Sequence, residues 1–215
     1  LSSIREEFEW MYKTQHTNGV LCNINFIVWS DVFTCPECNG ELIFSDIALD
    51  QENAAVRKQL ICPFCLSALD KRSLNRVWVS NYDNVAETIF SQAKEIPVII
   101  NYSFNGKRYE KKPDKLDYEV LKKIEEYKIS KFVPTDIVPD GFNLKQPITS
   151  HGVKRLHHFY TKRNLIILSE FYKAVNLKRD LCKQLGLWFT STHAWSTRLG
   201  RLIVSNYFNK KGGVI

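Results

Sequence analysis

The sequence predicts an α+β fold, in which a mixed or antiparallel β module carries an inserted cysteine-bearing module and is flanked by helices. Strand-like runs rich in Val, Ile, Phe and Trp occupy residues 20–34 and 74–82. Helical periodicity marks both ends of the chain, and two Cys-x-x-Cys pairs lie between the strands. The 215 residues, 44% hydrophobic and 25% charged, suit one domain or one domain with a small lobe. This composition excludes a disordered tail and a collagen-like fibre.

The first residues predict a helix over 3–15. Ser3 and Glu6 match a capping box, in which the serine caps the helix and the glutamate reaches back. Four apolar side chains then fall on one helical face: Ile4, Phe8, Met11 and Tyr12. Because the chain starts at Leu1 rather than Met, we expect residues 1–20 to lead in from a preceding domain of a longer protein.

Residues 21–131 are expected to form the body of the α+β region, with the cysteine-bearing module inserted at about 33–72. A hairpin is predicted over residues 96–111, because Asn105-Gly106 suits a type I′ turn between two β-rich runs. Asp114 then stands where it can cap a helix whose apolar residues share one face.

Residues 132–152 predict a connector, because proline and glycine concentrate there. Beyond it, residues 153–215 predict a basic helical segment. Its helices are expected over 160–176 and about 178–189, and its aromatic tail from 193 has no clear periodicity.

Charge is divided unevenly along the chain. Residues 1–150 hold 18 lysines and arginines against 21 acidic residues, whereas residues 151–215 hold 12 against 2. The formal net charge of +7 therefore conceals a segment of +10. Such a segment favours a polyanion such as nucleic acid as the partner, and a merely solvated lysine face is the alternative.

The sequence gives no sign of a membrane or of export. No stretch approaches the roughly 18 apolar residues of a transmembrane helix, so we expect no membrane partner. Residues 1–20 are charged and amphipathic, unlike a secretory signal. We therefore expect a cytoplasmic protein.

Four of the six cysteines form two pairs, Cys35–Cys38 and Cys62–Cys65, with 23 residues between the pairs. Each pair can place two sulfurs about 2.3 Å from a shared metal ion, so the pattern predicts a four-thiolate zinc ribbon. With thiolate at all four positions the zinc would be structural. Two disulfides or four free thiols are the alternatives, and disulfides need an oxidising compartment. The other two cysteines are expected to be small buried residues: Cys22 and Cys182.

The basic segment and the predicted hairpin supply candidate contacts to nucleic acid. Arginine forks onto guanine or phosphate, lysine neutralises phosphate, and a β-ribbon tip fits the major groove. Each of two candidate groups has a structural alternative. The histidines could instead be buried under a loop with their hydrogen bonds satisfied, and the hairpin tip could be an ordinary exposed turn. The candidates are Arg155, His157, His158, Tyr160, Lys162, Arg163, Arg198, Arg201, Lys210, Lys211, Asn105 and Lys107.

Several longer strings carry a resemblance to a known family. They are WMYKTQH at 10–16, VWSDVF at 28–33, AKEIPV at 93–98, NYS at 101–103, KRYE at 107–110 and HHFYTKRNL at 157–165. Together with the cysteine pairs they resemble the middle portion of bacterial site-specific DNA amino-methyltransferases, and the resemblance covers essentially the whole chain.

The resemblance implies that 21–131 form a target-recognition region on double-stranded DNA, and that 153–215 re-enter the catalytic domain. The implied parent is a DNA (adenine-N6 or cytosine-N4) methyltransferase of the restriction-modification kind. S-adenosylmethionine would bind only in that parent, in contact with its remaining domains. The chain has neither an FxGxG-type loop nor a DPPY or NPPY string, so the piece itself would be inactive.

Two other classes of function stay open on the residues alone. One is a self-contained enzyme that uses His157 and His158, for which no local catalytic signature is present. The other is a zinc-ribbon module for protein interaction or general nucleic-acid binding.

Overall fold

A computed structural model describes residues 2–177 and 179–209, with only the backbone described at 179, 194 and 195. The helices are α1 (Ser2–Phe8), α2 (Phe44–Ala48), α3 (Lys115–Glu126), α4 (Phe142–His151), α5 (Lys162–Leu177), α6 (Cys182–Ser196) and α7 (Val204–Phe208). The strands are β1 (Lys13–Gln15), β2 (Leu21–Thr34), β3 (Glu41–Ile43), β4 (Leu49–Asp50), β5 (Ala55–Val56), β6 (Leu60–Ile61), β7 (Ala68–Leu69), β8 (Asn75–Arg76), β9 (Trp78–Asp83), β10 (Thr88–Ala93), β11 (Glu95–Phe104) and β12 (Lys107–Lys111). Short 3-10 helices span Glu9–Tyr12, Lys71–Ser73, Leu156–Phe159 and Arg179–Leu181. The α+β prediction with antiparallel sheets is confirmed.

The central sheet is antiparallel, in the order β1-β2-β11-β12. The long strand β2 pairs with β11 along most of its length, with irregularities in register beside Pro97 and Asn101. A proline has no N–H for the ladder, so a break in register at Pro97 is expected. The far end of β2 leaves this sheet and pairs with β3 and β8. The strand β2 therefore connects the central sheet to the cysteine-bearing module.

The predicted hairpin is present as β11 and β12. Asn105 and Gly106 have φ of 48° and 75°, the positive values that a type I′ turn needs at both central positions. The predicted cap is also present, since the Asp114 carboxylate accepts the N–H groups of Leu116 and Asp117 at the start of α3. Both features are encoded within a few residues, and both predictions are confirmed.

The predicted N-terminal helix over 3–15 is too long. The α-helix ends at Phe8, a 3-10 turn follows, and Lys13–Gln15 forms the edge strand β1. In that strand Thr14 lies opposite Cys22, and its hydroxyl donates to the Asp117 carboxylate over 2.6 Å. Hydrogen bonds to distant residues thus outweigh the local helical periodicity. The helix nevertheless packs as expected, because Phe8 lies in a buried cluster with apolar residues of α3 and α5.

The connector over 132–152 contains a helix, which the sequence analysis did not expect. The helix α4 includes Pro147 and ends at Gly152, whose φ of 75° is left-handed. A Cβ atom on Gly152 would lie 2.3 Å from the Ser91 carbonyl oxygen of β10. The end of α4 is therefore pressed onto β10, a contact that the turn-rich composition does not reveal.

The C-terminal region differs from the sequence prediction in three places. The helix α6 spans Cys182–Ser196 rather than about 178–189, and a short helix α7 lies within the predicted irregular tail. Cys182 is exposed rather than buried, whereas Cys22 is buried as predicted. Among the described residues, no helix has both the length and the apolar character needed to cross a bilayer.

Candidate metal centre

The first cysteine pair forms a tight turn closed by the backbone. The Cys35 N–H donates to the Gly40 carbonyl and the Asn39 N–H donates to the Cys35 carbonyl, each over 2.9 Å. Asn39 takes a left-handed φ of 57°, which asparagine tolerates better than most residues. The turn places Cys35 and Cys38 on the same side of the loop.

The second cysteine pair repeats this geometry. The Cys62 N–H donates to the Ser67 carbonyl and the Leu66 N–H donates to the Cys62 carbonyl, each over 3.0 Å. Leu66 takes the left-handed position with φ 63°, where a leucine is strained. The two turns are therefore the same local structure built twice, with different residues at the left-handed position.

The four sulfurs converge across the two turns. The Sγ atoms of Cys35 and Cys65 are 3.8 Å apart and those of Cys38 and Cys62 are 3.7 Å apart, and all four lie within 4.8 Å of one another. A tetrahedral ion at about 2.3 Å from each sulfur requires sulfur–sulfur edges of about 3.8 Å. A disulfide would bring two sulfurs to about 2.0 Å. The cluster therefore has the geometry to hold a metal ion.

The site sits at the surface of a small core. Cys35 and Cys62 are buried, whereas Cys38 and Cys65 are exposed. The buried pair belongs to an apolar cluster that defines the cysteine lobe, residues 33–74. The other members of this cluster are Phe33, Leu42, Ile47, Ala48, Leu60, Leu69 and Leu74.

Local hydrogen bonds favour the thiolate form at some of these sulfurs. Burial opposes ionisation of Cys35, but N–H groups of Cys38 and Glu37, with the neighbouring thiols, lower its pKa to about 6. The Ser67 hydroxyl, 3.0 Å from the Cys65 sulfur, lowers the pKa of that thiol.

The pKa of the Cys38 thiol shifts in the opposite direction from those of Cys35 and Cys65. Although the Gly40 N–H favours its thiolate, burial and the three adjacent sulfurs raise the pKa of Cys38 to about 12. Like charges held this close oppose one another. A bound cation at the centre would remove that opposition, because it stabilises every thiolate at once.

A second group of side chains that could ligate a metal ion is instead engaged in ion pairs. Asp31, Glu95 and His151 lie together, but Asp31 pairs with Arg76 at 2.5 Å and Glu95 pairs with Arg198. Each carboxylate already has a cation beside it, so a metal ion would have to displace an arginine. The predicted DNA contact Arg198 is thus engaged within the protein.

The side chains of His157 and His158 are buried. Nε2 of His157 and Nε2 of His158 lie 2.7 and 3.1 Å from the same Oδ2 atom of Asp83. This is the satisfied pair that the sequence analysis kept as its alternative. Asp83 was missed, because an aspartate at the end of a strand carries no local signal of a partner 74 residues away.

Other predicted contacts of the basic segment also have internal partners. The Arg155 guanidinium donates to the Thr135 carbonyl over 2.7 Å, and the Lys162 ammonium donates to the Glu125 carbonyl. The Arg163 guanidinium lies 5.3 Å from the ring centroid of Tyr12.

Tyr160, another predicted DNA contact, lies just before α5, and its hydroxyl is 2.9 Å from Nδ1 of His193. Like the three cations beside it, Tyr160 fixes the start of α5 against other parts of the chain. Their role in DNA binding stays a prediction.

The remaining predicted contacts are accessible or undescribed. Asn105 and Lys107 are exposed at the tip of the β11–β12 hairpin, and Arg201 is exposed after α6. Lys210 and Lys211 lie outside the described residues. The structure therefore divides the candidate set into exposed residues at the hairpin and tail, and engaged residues at the start of α5.

Comparison with known protein families, curated proteins and solved structures finds no match to this chain.

Proposed function

We propose that this chain is a zinc-stabilised DNA-recognition module, the target-recognition region of a DNA methyltransferase that modifies adenine N6 or cytosine N4. The observation that carries the proposal is the four-thiolate cluster at tetrahedral spacing. The resemblance of the sequence strings supplies the link to methyltransferases, and the exposed hairpin tip supplies a surface for DNA.

Zinc is the ion that this cluster suits best. Four thiolates in a tetrahedral arrangement are the ligand set of structural zinc, and they leave no open position for water or substrate. The lobe also needs such an ion, because its ladders β4–β5 and β6–β7 have two residues in each strand. Ladders this short are marginal without further support.

The DNA contact is assigned to the hairpin rather than to the cysteine lobe. Residues 33–72 hold four lysines and arginines against six acidic residues, a balance that suits a polyanion poorly. The tip of β11–β12 instead presents Asn105, Lys107 and Arg108 to solvent. A two-stranded ribbon fits the major groove, where such side chains can reach base edges and phosphates.

The hairpin tip rests on an aromatic cluster that fixes its direction. The His16 ring stacks on Phe104 with centroids 4.3 Å apart, and its Nδ1 lies 2.8 Å from the Tyr102 hydroxyl. Tyr109 of the returning strand also packs against His16. A rigid support lowers the entropy lost when the tip binds.

Methyl transfer itself belongs to the parent enzyme in this proposal. The parent would flip the target base out of the duplex before methylation, with S-adenosylmethionine bound outside this chain. Residues 21–131 would hold the duplex and discriminate its sequence. Each bidentate base contact would contribute about 1–3 kcal/mol of discrimination against the wrong base.

The test is duplex binding by the zinc-loaded chain, measured by fluorescence anisotropy with a labelled mixed-sequence duplex over a salt series. We expect measurable affinity at low salt and a steep loss of affinity with salt. Lys107→Ala should reduce the salt slope by about 0.9 for one lost phosphate contact. The control is Lys145→Ala, an exposed lysine of α4, which should leave the slope unchanged.

Absence of binding at low salt by a folded, zinc-loaded chain would exclude the DNA proposal. It would favour a zinc-stabilised protein-interaction module, the second candidate. That candidate has its own observation, because Ile61, Phe64 and Leu66 of the second turn are 59%, 65% and 76% exposed. Apolar side chains gathered on one exposed turn are typical of protein contact sites.

A self-contained enzyme at the histidine pair finds little support. His157, His158 and Asp83 are 5–7% exposed, and both imidazoles are hydrogen bonded to the same carboxylate oxygen of Asp83. A substrate would have to open this contact before it could reach either imidazole.

A further inference from the structure

The central sheet carries a row of polar side chains at the end where the β11–β12 hairpin turns. In the register of the ladders, Ser103 of β11 lies between Asn23 of β2 and Arg108 of β12. Residues directly opposite each other on neighbouring strands point to the same face of a sheet. The side chains of Asn23, Ser103 and Arg108, here named the polar row, therefore stand side by side on one face.

The other face of the same three strands is apolar. Consecutive residues of a strand point to opposite faces, so Cys22, Tyr102 and Tyr109 point away from the polar row. Cys22 and Tyr102 belong to a buried cluster, and Tyr109 packs against it. Asn23 and Arg108, at the two ends of the polar row, are exposed. The sheet thus covers its apolar face and leaves the polar row accessible.

A hydrogen-bonded network fixes the side chains behind the polar row. The Ser103 hydroxyl donates to Oδ1 of Asn25 over 3.0 Å, and Nδ2 of Asn25 donates to Oδ1 of Asn101 over 2.8 Å. Asn101 is buried, and its Nδ2 donates to Oε1 of Glu110 over 2.9 Å. The Tyr207 hydroxyl of α7 donates to the same carboxylate oxygen. A connected network of this kind holds its side chains in one arrangement.

The network also explains why the Arg108 guanidinium has no partner. Glu110 lies two residues further along the same face of β12, and its Oε1 is already bonded to Asn101 and Tyr207. Among the described residues, Arg108 forms neither an ion pair nor a side-chain hydrogen bond. Arg198, by contrast, is paired with Glu95. Arg108 is therefore an exposed cation whose nearest acidic neighbour along the strand is engaged elsewhere.

We propose that the polar row reads base edges in the major groove, with Arg108 on a guanine and Asn23 on an adenine. This inference rests on the proposed DNA-binding function and names the bases that the surface would select. Guanine offers O6 and N7 to the arginine fork, and the asparagine amide matches N6 and N7 of adenine. Strands of a β-sheet are among the elements that read DNA in a groove.

The spacing of the strands sets the distance between the two bases. Neighbouring strands lie about 4.8 Å apart, so two strand spacings place Asn23 and Arg108 about 10 Å from each other. Bases in one DNA strand follow at steps of about 3.4 Å. The guanine and the adenine are therefore expected within about three base pairs of each other.

The two neighbouring cations of β12 have different parts in this arrangement. Lys107 precedes Arg108 and points to the other face of the ribbon, opposite Phe104 in the ladder. Lysine is a point charge that suits phosphate, whereas the planar guanidinium makes two parallel hydrogen bonds to one base. Lys107 supplies affinity for any duplex, and Arg108 supplies preference for a sequence.

The first test selects bound molecules from a library of random duplexes with the full zinc-loaded chain. We expect the enriched sequences to share a guanine and an adenine within about three base pairs. Arg108→Ala should reduce the preference for the guanine alone, by about 5- to 150-fold, and Asn23→Ala should reduce that for the adenine alone. The control Lys107→Ala should weaken binding to all sequences alike.

The second test separates a base contact of Arg108 from a phosphate contact. Replacing the selected guanine by 7-deazaguanine removes the N7 acceptor, so the affinity of the unmodified chain should fall by about tenfold while that of Arg108→Ala stays the same. Arg108→Lys keeps the charge but lacks the fork, and should lose the guanine preference. An unchanged guanine preference in Arg108→Lys would assign this residue to phosphate and overturn the inference.

The remaining outcomes separate this inference from the proposed function. Binding without sequence preference, or a preference that survives both Arg108→Ala and Asn23→Ala, would refute the polar row as the reader and leave DNA binding in place. Failure of the folded chain to bind any duplex at low salt would exclude DNA binding and the inference with it. The zinc content and the melting temperature of each variant should equal those of the unmodified chain, because both side chains are exposed.

Discussion

The cysteine lobe and the buried histidine pair form their sites in opposite ways. In the lobe, each pair of sulfurs is positioned by one turn of six residues, and the second turn repeats the hydrogen bonds of the first. At the histidine pair, His157 contacts Asp83, which lies 74 residues away in the chain. A site made of local turns can be read from spacing, whereas a site made by tertiary contact depends on which surfaces meet.

The largest effect that would sharpen this comparison is loss of a metal ligand. We expect Cys62→Ser to release zinc and to unfold the cysteine lobe, with a loss of more than about 4 kcal/mol, because structural zinc supplies folding free energy directly. Zinc content and thermal unfolding of the purified chain would measure this.

The matched control for that variant is Cys22→Ser, which changes a buried cysteine of the central sheet outside the cluster. It should keep its zinc and lose only packing energy. Equal zinc content in the two variants would contradict the assignment of Cys62 as a required ligand.

A smaller effect is expected where the end of α4 meets β10. Gly152→Ala should destabilise the fold by about 2–3 kcal/mol, since a Cβ at a left-handed φ would also meet the Ser91 carbonyl oxygen at 2.3 Å. The lobe should keep its zinc, because the contact lies in the other region. Chemical denaturation gives the change.

Its control is Gly186→Ala inside α6, where an added Cβ would meet no atom within 4 Å among the described residues outside its own helical turns. Because the added Cβ would be free of contacts with the rest of the described chain, this change should stabilise the protein by up to about 1 kcal/mol, as alanine favours helices over glycine. Similar effects for the two glycines would mean that α4 does not press on β10.

The smallest effect concerns the local strain of the lobe. Leu66→Gly should stabilise the zinc-loaded chain by about 0.5 kcal/mol, because glycine adopts a left-handed φ without the cost that leucine carries. Asn39→Gly should change stability less, since asparagine already tolerates that backbone. Thermal melting of both variants at fixed zinc concentration would show which substitution stabilises the chain more. A lower melting temperature for Leu66→Gly would contradict the proposed backbone strain at Leu66.

The features that the sequence predicts correctly are the local ones, and those that it misses depend on tertiary contacts. The cysteine spacing, the Asn105-Gly106 turn and the Asp114 cap depend on neighbouring residues, and each is present as predicted. The edge strand at Thr14 and the helix α4 depend on distant contacts, and local patterns predicted neither.

The charged residues show why the rest could not be predicted. The density of arginines in 151–215 is visible in the sequence, but the partner of each one is not. Arg198 is engaged by Glu95 and Arg155 by the Thr135 carbonyl, both contributed by other parts of the fold. A test of DNA binding by charge reversal should therefore use the exposed Arg201 rather than Arg198.

The unequal burial of the four thiols has a consequence for how the ion would enter and leave. Cys38 and Cys65 face water while Cys35 and Cys62 are anchored in the core beneath. A chelator approaching from outside would meet the two outer sulfurs first, one on each cysteine turn. Binding and release of the ion would then be governed by the opening of these two surface turns rather than by unfolding of the whole protein.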